Sequence, residues 1–456
     1  MHKRFRIALS TIAATALTGG LIAVAAPPVA VAAAALYADD FNGDGYRDNA
    51  IAWNTTARAG AVKIVFGTAT GPGTETQVIH QGSPGVPGAN EEDDAFGQVR
   101  AAADFDQDGY GDLAVSVPDE DVDGRNDQGA VVVLWGSSSG LAGGTTMPNQ
   151  TPGQFNSFGK DLATGDFNGD GTPDLAAING GKTFVYRGAI TRTGVTGSVT
   201  EHDQESTSFS ADTLIAGKVT PDSATDLVIT GVVAGVEHPT TDAWFIRGGS
   251  TLTPGEALRF DASQWSSRPD GVIADFDQDG YGDIAIGNPA DSGYQGAVVI
   301  WPGGATGPGS TSQRLTQATA DVAGTPEASD WFGDSISAAD VTGDGFPDLA
   351  VGVRGEAIGT VEWAGGMHLF KGGADGLAGT GSQWFSRATS GIPGAVTADD
   401  NFGGTVRLRD TDGDGHADLF VGGNLSSLRL PGTDSGLTTT GLTQLDDNES
   451  PHGFLQ

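Results

Sequence analysis

Cysteine is missing from all 456 residues. Disulfide frameworks, thiolate metal sites and cysteine nucleophiles are thereby excluded. Basic side chains are scarce: 23 Lys and Arg stand against 58 Asp and Glu, a formal net charge of −35. A surface this acidic repels phosphate backbones and anionic lipid, so nucleic acid is ruled out as a partner, and cations are attracted. Amphipathic runs of helical period are lacking. Only one apolar stretch reaches membrane length, from Ile7 to Val31. It follows Lys3, Arg4 and Arg6, is interrupted at Gly19–Gly20 and Pro27–Pro28, and ends in the small residues Ala30, Val31 and Ala32. That is the build of a secretory signal peptide. Residues 1–32 are therefore expected to be removed, leaving a secreted, extracellular, monomeric domain over 33–456 that does not insert in a membrane. The loss of three basic residues and no acid moves the net charge to −38.

Glycine, in contrast, is abundant at 72 residues, with 21 prolines, and short β-rich runs lie between the glycine clusters. One nine-residue pattern recurs at 40–48, 104–112, 166–174, 275–283, 340–348 and 410–418, with a worn copy at 218–226. After each loop comes a short apolar strand such as Leu113–Val117 or Leu349–Val351. A second one follows, such as Ala130–Trp135 or Ala297–Trp301, and ends at a glycine. Phe-Gly pairs stand eight residues before the first aspartate at Phe96, Phe158, Phe332 and Phe402. With a weaker strand such as Thr76–Ile79, each repeat supplies four strands. Seven such repeats predict an all-β fold: a seven-bladed β-propeller of four-stranded antiparallel blades. A single sheet cannot cover its own faces, so each blade must pack on its neighbours. The first repeat has no upstream Phe-Gly, and the tail Pro451–Phe454 is a possible source of a missing edge.

Within each loop, side-chain oxygens fall at positions 1, 3, 5 and 9, and position 7 offers its main-chain carbonyl. The sets are Asp40, Asn42, Asp44, Tyr46, Asp48; Asp104, Asp106, Asp108, Tyr110, Asp112; and Asp166, Asn168, Asp170, Thr172, Asp174. Three more are Asp275, Asp277, Asp279, Tyr281, Asp283; Asp340, Thr342, Asp344, Phe346, Asp348; and Asp410, Asp412, Asp414, His416, Asp418. Glycine at position 6 permits the positive φ of a sharp turn. Several hard, charged oxygens around one centre suit Ca²⁺, which accepts six to eight, better than Mg²⁺ with its strict octahedron. An EF-hand is excluded, because position 12 is apolar and no helices flank the loop. Four aspartates in one bend repel one another unless a cation joins them. About six Ca²⁺ sites are expected, with the fourth blade empty because Lys218 holds position 1.

These residues resemble the FG-GAP repeats of the integrin α-subunit N-terminal β-propeller. The Phe-Gly pairs correspond to its "FG", Gly287–Pro289 is nearest to its "GAP", and the aspartate loops are similar to its calcium loops. The resemblance runs from residue 35 to about 447, with departures in the fourth repeat and at Ser267. It implies calcium in the hairpin between the first two strands of a blade, and partners on the opposite face. That face is expected to carry Asp94, Asp330, Trp331 and Asp400 as ligand contacts. The implied function is an extracellular binding, adhesion or scaffold module for a glycan or protein. The alternative is a secreted carbohydrate-active enzyme, a polysaccharide lyase or hydrolase. No catalytic constellation supports that alternative: the seven histidines form no zinc-spaced pair, and Gly136–Gly140 matches a nucleophile elbow by letter alone.

Overall fold

The computed structural model describes residues 34–53, 58–203, 209–233, 240–259 and 269–445. The predicted signal segment 1–32, Ser267 and the tail edge at Pro451–Phe454 lie outside them. The described chain is a seven-bladed, all-β propeller. Blade 2 shows the pattern, with strands Arg100–Ala103, Asp112–Val117, Ala130–Trp135 and Ala142–Thr146 paired in sequence order, each antiparallel to the next. Blades 3 to 7 begin at Leu162, Phe209, Gly271, Phe332 and Thr405, and each forms a four-stranded sheet. Blade 1 departs from the expectation. It shows three strands, Asn49–Trp53, Ala61–Thr68 and Gly71–Ile79, and residues 34–39 precede its loop without forming a strand. The one short helix among the described residues, Asp291–Tyr294, is a turn with left-handed residues inside it. No helix among the described residues is long and apolar enough to cross a membrane.

The core is distributed between the blades. Apolar clusters span blades 1 and 2 (Ile64 with Val115), 2 and 3 (Val133 with Phe184), and 3 and 4 (Ile178 with Trp244). Three more span 4 and 5 (Phe245 with Val299), 5 and 6 (Ile300 with Leu349), and 6 and 7 (Leu369 with Leu419). Strand alternation makes this possible, since successive side chains feed opposite neighbours. Between blades 7 and 1 no such cluster spans the joint among the described residues. There the Arg409 guanidinium pairs with the buried Asp39 carboxylate, which also accepts from Arg47 at 3.1 Å.

The Phe-Gly pairs are inter-blade clasps. The amides of Phe96, Phe158, Phe332 and Phe402 donate to carbonyls of the preceding blade at 2.9, 2.9, 3.2 and 3.2 Å, and their rings are buried. Each Phe backbone lies against a glycine just before a strand of that preceding blade, namely Ala61–Thr68, Ala130–Trp135, Ala297–Trp301 or Gly366–Phe370. A Cβ on Gly60 would sit 2.4 Å from the Phe96 nitrogen, and one on Gly365 2.3 Å from the Phe402 oxygen. Only glycine fits there. The residue before each Phe is left-handed: Ala95, Ser157, Trp331 and Asn401 have φ of 58°, 48°, 59° and 54°.

One core residue works against stability. His368 is fully buried among Trp384, Phe332 and Phe370, with neither ring nitrogen hydrogen-bonded. Burial pushes its pKa down to about 3. An unfolded histidine titrates near 6.5, so the unfolded chain binds a proton that the native one refuses, and stability is lost as pH falls from about 6.5 towards 3. His368→Leu places there the residue that blade 7 has at Leu428. We expect it to raise stability by about 1–2 kcal/mol at pH 7. The gain should be larger at pH 5, as read from urea unfolding at the two pH values.

Candidate functional site

In blades 2, 3, 5, 6 and 7 the aspartate loop joins the first strand to the second, and in blade 1 it leads into Asn49–Trp53; all lie on one face of the ring. Position 1 organises each turn, because its carboxylate accepts the amide of the position-6 glycine. These bonds measure 2.8 Å for Asp40, 3.1 Å for Asp104, 2.8 Å for Asp166, 2.9 Å for Asp275, 2.7 Å for Asp340 and 3.1 Å for Asp410. Position 5 accepts the position-7 amide, as in Asp44 to Tyr46, Asp170 to Thr172, Asp344 to Phe346 and Asp414 to His416. Position 4 is left-handed as well as position 6. It is glycine in four loops, and Gln107 and Gln278, both at φ 56°, in the other two. The loops are also chained around the ring. The position-1 carbonyls of Asp40, Asp166, Lys218 and Asp340 accept amides from the next blade's loop at 2.7, 2.7, 2.9 and 2.7 Å.

In three loops the carboxylates converge. One oxygen from each of Asp104, Asp106 and Asp108 lies within 4.8 Å of the others, and Asp275, Asp277, Asp279 and Asp410, Asp412, Asp414 do the same. The remaining loops carry Asn42, Asn168 or Thr342 at position 3 and so hold fewer carboxylates. Three buried oxygens in the loops have no hydrogen-bond partner: Oδ1 of Asp106, Oδ2 of Asp174 and Oδ1 of Asp412. A buried carboxylate oxygen left without a donor is costly, and a divalent cation is the partner this donor set fits.

Position 9 has a second duty that the sequence does not announce. Each of these aspartates ties the start of its loop to the glycine ending the third strand, or to one of the two. Asp48 accepts from Phe41 and Gly67 at 2.8 Å each, and Asp112 from Phe105 at 2.9 Å and Gly136 at 2.8 Å. Asp283 and Asp348 repeat the pair of bonds, while Asp174 and Asp418 accept from Gly188 and Gly432. Burial pushes Asp48 up to about 7, Asp112 to about 8, and Asp174, Asp283, Asp348 and Asp418 to about 6, against the backbone donors that lower them. Blade 4 separates the two duties. Its worn loop keeps Asp226 accepting the same bonds, from Val219 and Gly248, although Lys218 and Thr220 have replaced the carboxylates at positions 1 and 3 and only Asp222 is left in the turn. The cations there are the chain's own: Lys218 donates to the Ser223 carbonyl, and Arg247 reaches Asp222 at 2.8 Å.

The acids predicted as ligand contacts on the other face turn out to be buried. Asp94, Asp330 and Asp400 stand at equivalent places two residues before a clasp phenylalanine. Asp94 and Asp330 each accept an amide three residues upstream, from Glu91 and Glu327. Asp400 is held by Arg387 and the Leu425 amide. They anchor loops and do not face solvent. Beneath that face, Glu120 and Glu356 accept from Gln81 and Gln317 at 2.8 and 2.7 Å, and burial lifts Glu356 to about 7. Trp331 is half-buried. The Tyr294 ring stacks on it at 5.3 Å, the Arg354 guanidinium sits 4.1 Å from its centroid, and Trp363 leans in at 6.3 Å. A ring already covered in this way offers little stacking surface to a sugar.

The FG-GAP repeat model matches residues 96–134, 158–198, 270–301 and 332–366. The chain is 32% identical over 194 residues to phosphatidylinositol-glycan-specific phospholipase D of Bos taurus, covering 37% of this chain and 22% of that protein. It is 37% identical over 90 residues to human integrin alpha-10, covering 19% and 7%, and 28% identical over 267 residues to Xenopus laevis integrin alpha-5, covering 58% and 20%. The matched stretches thus span about a fifth or less of these relatives' own length. Fold, clasps and matched stretches agree: this chain carries FG-GAP repeats in four places and resembles the integrin α-subunit propeller.

Proposed function

We propose that the chain is a secreted, calcium-loaded binding or adhesion module that presents the face opposite its aspartate loops to an extracellular glycan or protein. The observation that carries the calcium part is the convergence of three carboxylate triads, Asp104/Asp106/Asp108, Asp275/Asp277/Asp279 and Asp410/Asp412/Asp414. Bound Ca²⁺ would be held by positions 1, 3 and 5, with the position-7 carbonyl and the position-9 carboxylate completing the shell. It would supply fixed positive charge where the fold concentrates negative charge. The chain's own part is to preorganise the carboxylates: position 1 through the glycine amide, position 9 through the third strand. Support for a binding role is the propeller itself, whose loops on the far face are rigidly anchored by buried acids.

A glycan and extracellular-protein array, probed with the purified protein in calcium and again in EDTA, tests the reading. Retention that requires calcium and leaves the probe chemically intact is the expected outcome. Release of shortened oligosaccharides from a polymer would replace the module by the carbohydrate-active enzyme.

A further inference from the structure

We infer that Arg192 and Arg429 are built-in counter-cations that make two of the three carboxylate triads weaker divalent-cation sites than the third. The loops therefore fill in a fixed order, 275–283 first. This rests on the cation-binding reading above and adds a rule for how the sites differ.

The protein contains its own control. Loops 104–112 and 275–283 are the same nine residues in the same order. Their backbones agree too, with Gln107 and Gln278 both at φ 56°, and with the Asp108 and Asp279 amides both 3.1 Å from the position-1 carboxylate. What differs is a residue far away in the chain. Arg192 sits in a small ribbon of blade 3, Ile190–Thr191 paired with Gly194–Val195, that reaches back over blade 2. Its Nε lies 2.8 Å from Asp106 Oδ2, and its Nη2 lies 2.7 Å from Asp108 Oδ2 and 3.1 Å from the Gly136 carbonyl. The guanidinium also lies over the Trp135 ring at 5.3 Å. No Lys, Arg or His among the described residues pairs with Asp275, Asp277 or Asp279 in the twin loop. In blade 7, Arg429 takes the same part from within the blade, donating to Asp412 and, at 2.8 Å from Nε, to Asp418.

A fixed positive charge on two of the ligating carboxylates does two things. Without a divalent ion it relieves the repulsion among them. With one, it repels the ion from a few ångströms away and removes a unit of the negative charge that attracts it. In both arginine-bearing loops the position-3 carboxylate gives one oxygen to the guanidinium and keeps the other, Asp106 Oδ1 or Asp412 Oδ1, buried without a donor. The site is thus weakened without being closed. Blade 4 is the completed form of the same device, where Lys218 and Arg247 have taken over entirely.

The test is a calcium titration by calorimetry on the wild type, on Arg192→Gln, and on a protein whose twin loop is disabled by Asp277→Asn with Asp279→Asn. The twin-loop variant should lose an ion from the tightest class. Arg192→Gln should gain one there, its 104–112 loop binding about tenfold more tightly. Thermal melts give a second signature: Arg192→Gln should melt below the wild type in EDTA and at or above it in calcium. A merely structural arginine would lower both melts. An unchanged or weakened affinity in Arg192→Gln overturns this inference while leaving cation binding intact. Absence of any calcium heat in the wild type overturns the underlying reading itself.

Discussion

Removing calcium should lower the melting temperature of the protein by about 5–15 °C. A ligand that binds only the native state stabilises it by RT ln(1 + [L]/Kd). At about 2 mM calcium and the ~10⁻⁴–10⁻³ M constants of extracellular modules, that is about 0.6–1.8 kcal/mol per loop. Six loaded loops would together contribute about 4–11 kcal/mol, and a chain of this length shifts by roughly 1–2 °C per kcal/mol. No disulfide shares the task, since the sequence has no cysteine. Because loop carbonyls accept amides from the following blade, an ion in one loop also firms its neighbour, and the loss should be a shift of one transition. Scanning calorimetry in calcium and in EDTA, with elemental analysis of the same sample, checks this. Coincident traces and a metal-free protein would sink it.

Asp400→Ala should destabilise the fold by about 3–5 kcal/mol, more than any single loop substitution. Arg387 and Asp400 form the most deeply buried ion pair in the described chain, with side chains 1% and 0% exposed and 2.8 Å between Nε and Oδ2. The guanidinium also donates to the carbonyls of Pro393 and Ser426 and rests over the Phe402 ring at 4.6 Å. Blades 1 and 5 place a neutral partner at the equivalent site, Gln81 or Gln317. Stripping the carboxylate leaves a full positive charge without its counter-ion inside the joint between blades 6 and 7. Removing both members should therefore cost less than removing one. Urea unfolding of Asp400→Ala, Arg387→Leu and the double variant measures this, and a double variant no better than Asp400→Ala would refute the account.

The repeat, the blade count and the position of every loop were legible because they are written in short, local spacings. A nine-residue loop, a strand ending at glycine and a Phe-Gly pair each fit within one turn or strand, where sequence order and spatial order coincide. What escaped was set by contacts between distant segments. Position 9 looks like any other ligand in the loop. Only its bonds to Gly67, Gly136 or Gly248 at the far end of the blade show that it also ties the sheet together. Asp94, Asp330 and Asp400 sit among exposed acids in the sequence, and their burial follows from the clasp phenylalanine two residues later. That offset from Phe96, Phe332 and Phe402 was the available signal. Arg192 gives no local sign of its role, being 84 to 86 residues from the carboxylates it meets.

The ionic joint between blades 7 and 1 has a consequence for how the molecule fails. Six junctions are sealed by oil, which salt does not weaken. The seventh is fastened by Asp39 gripping an arginine 370 residues further along the chain. Among the described residues that joint carries no apolar seam, so its hold depends on charge pairing where the other joints depend on excluded water. Because Asp39 and Arg409 are both withdrawn from water, salt should screen that grip little, and the joint's weak point is instead the loss of either charge.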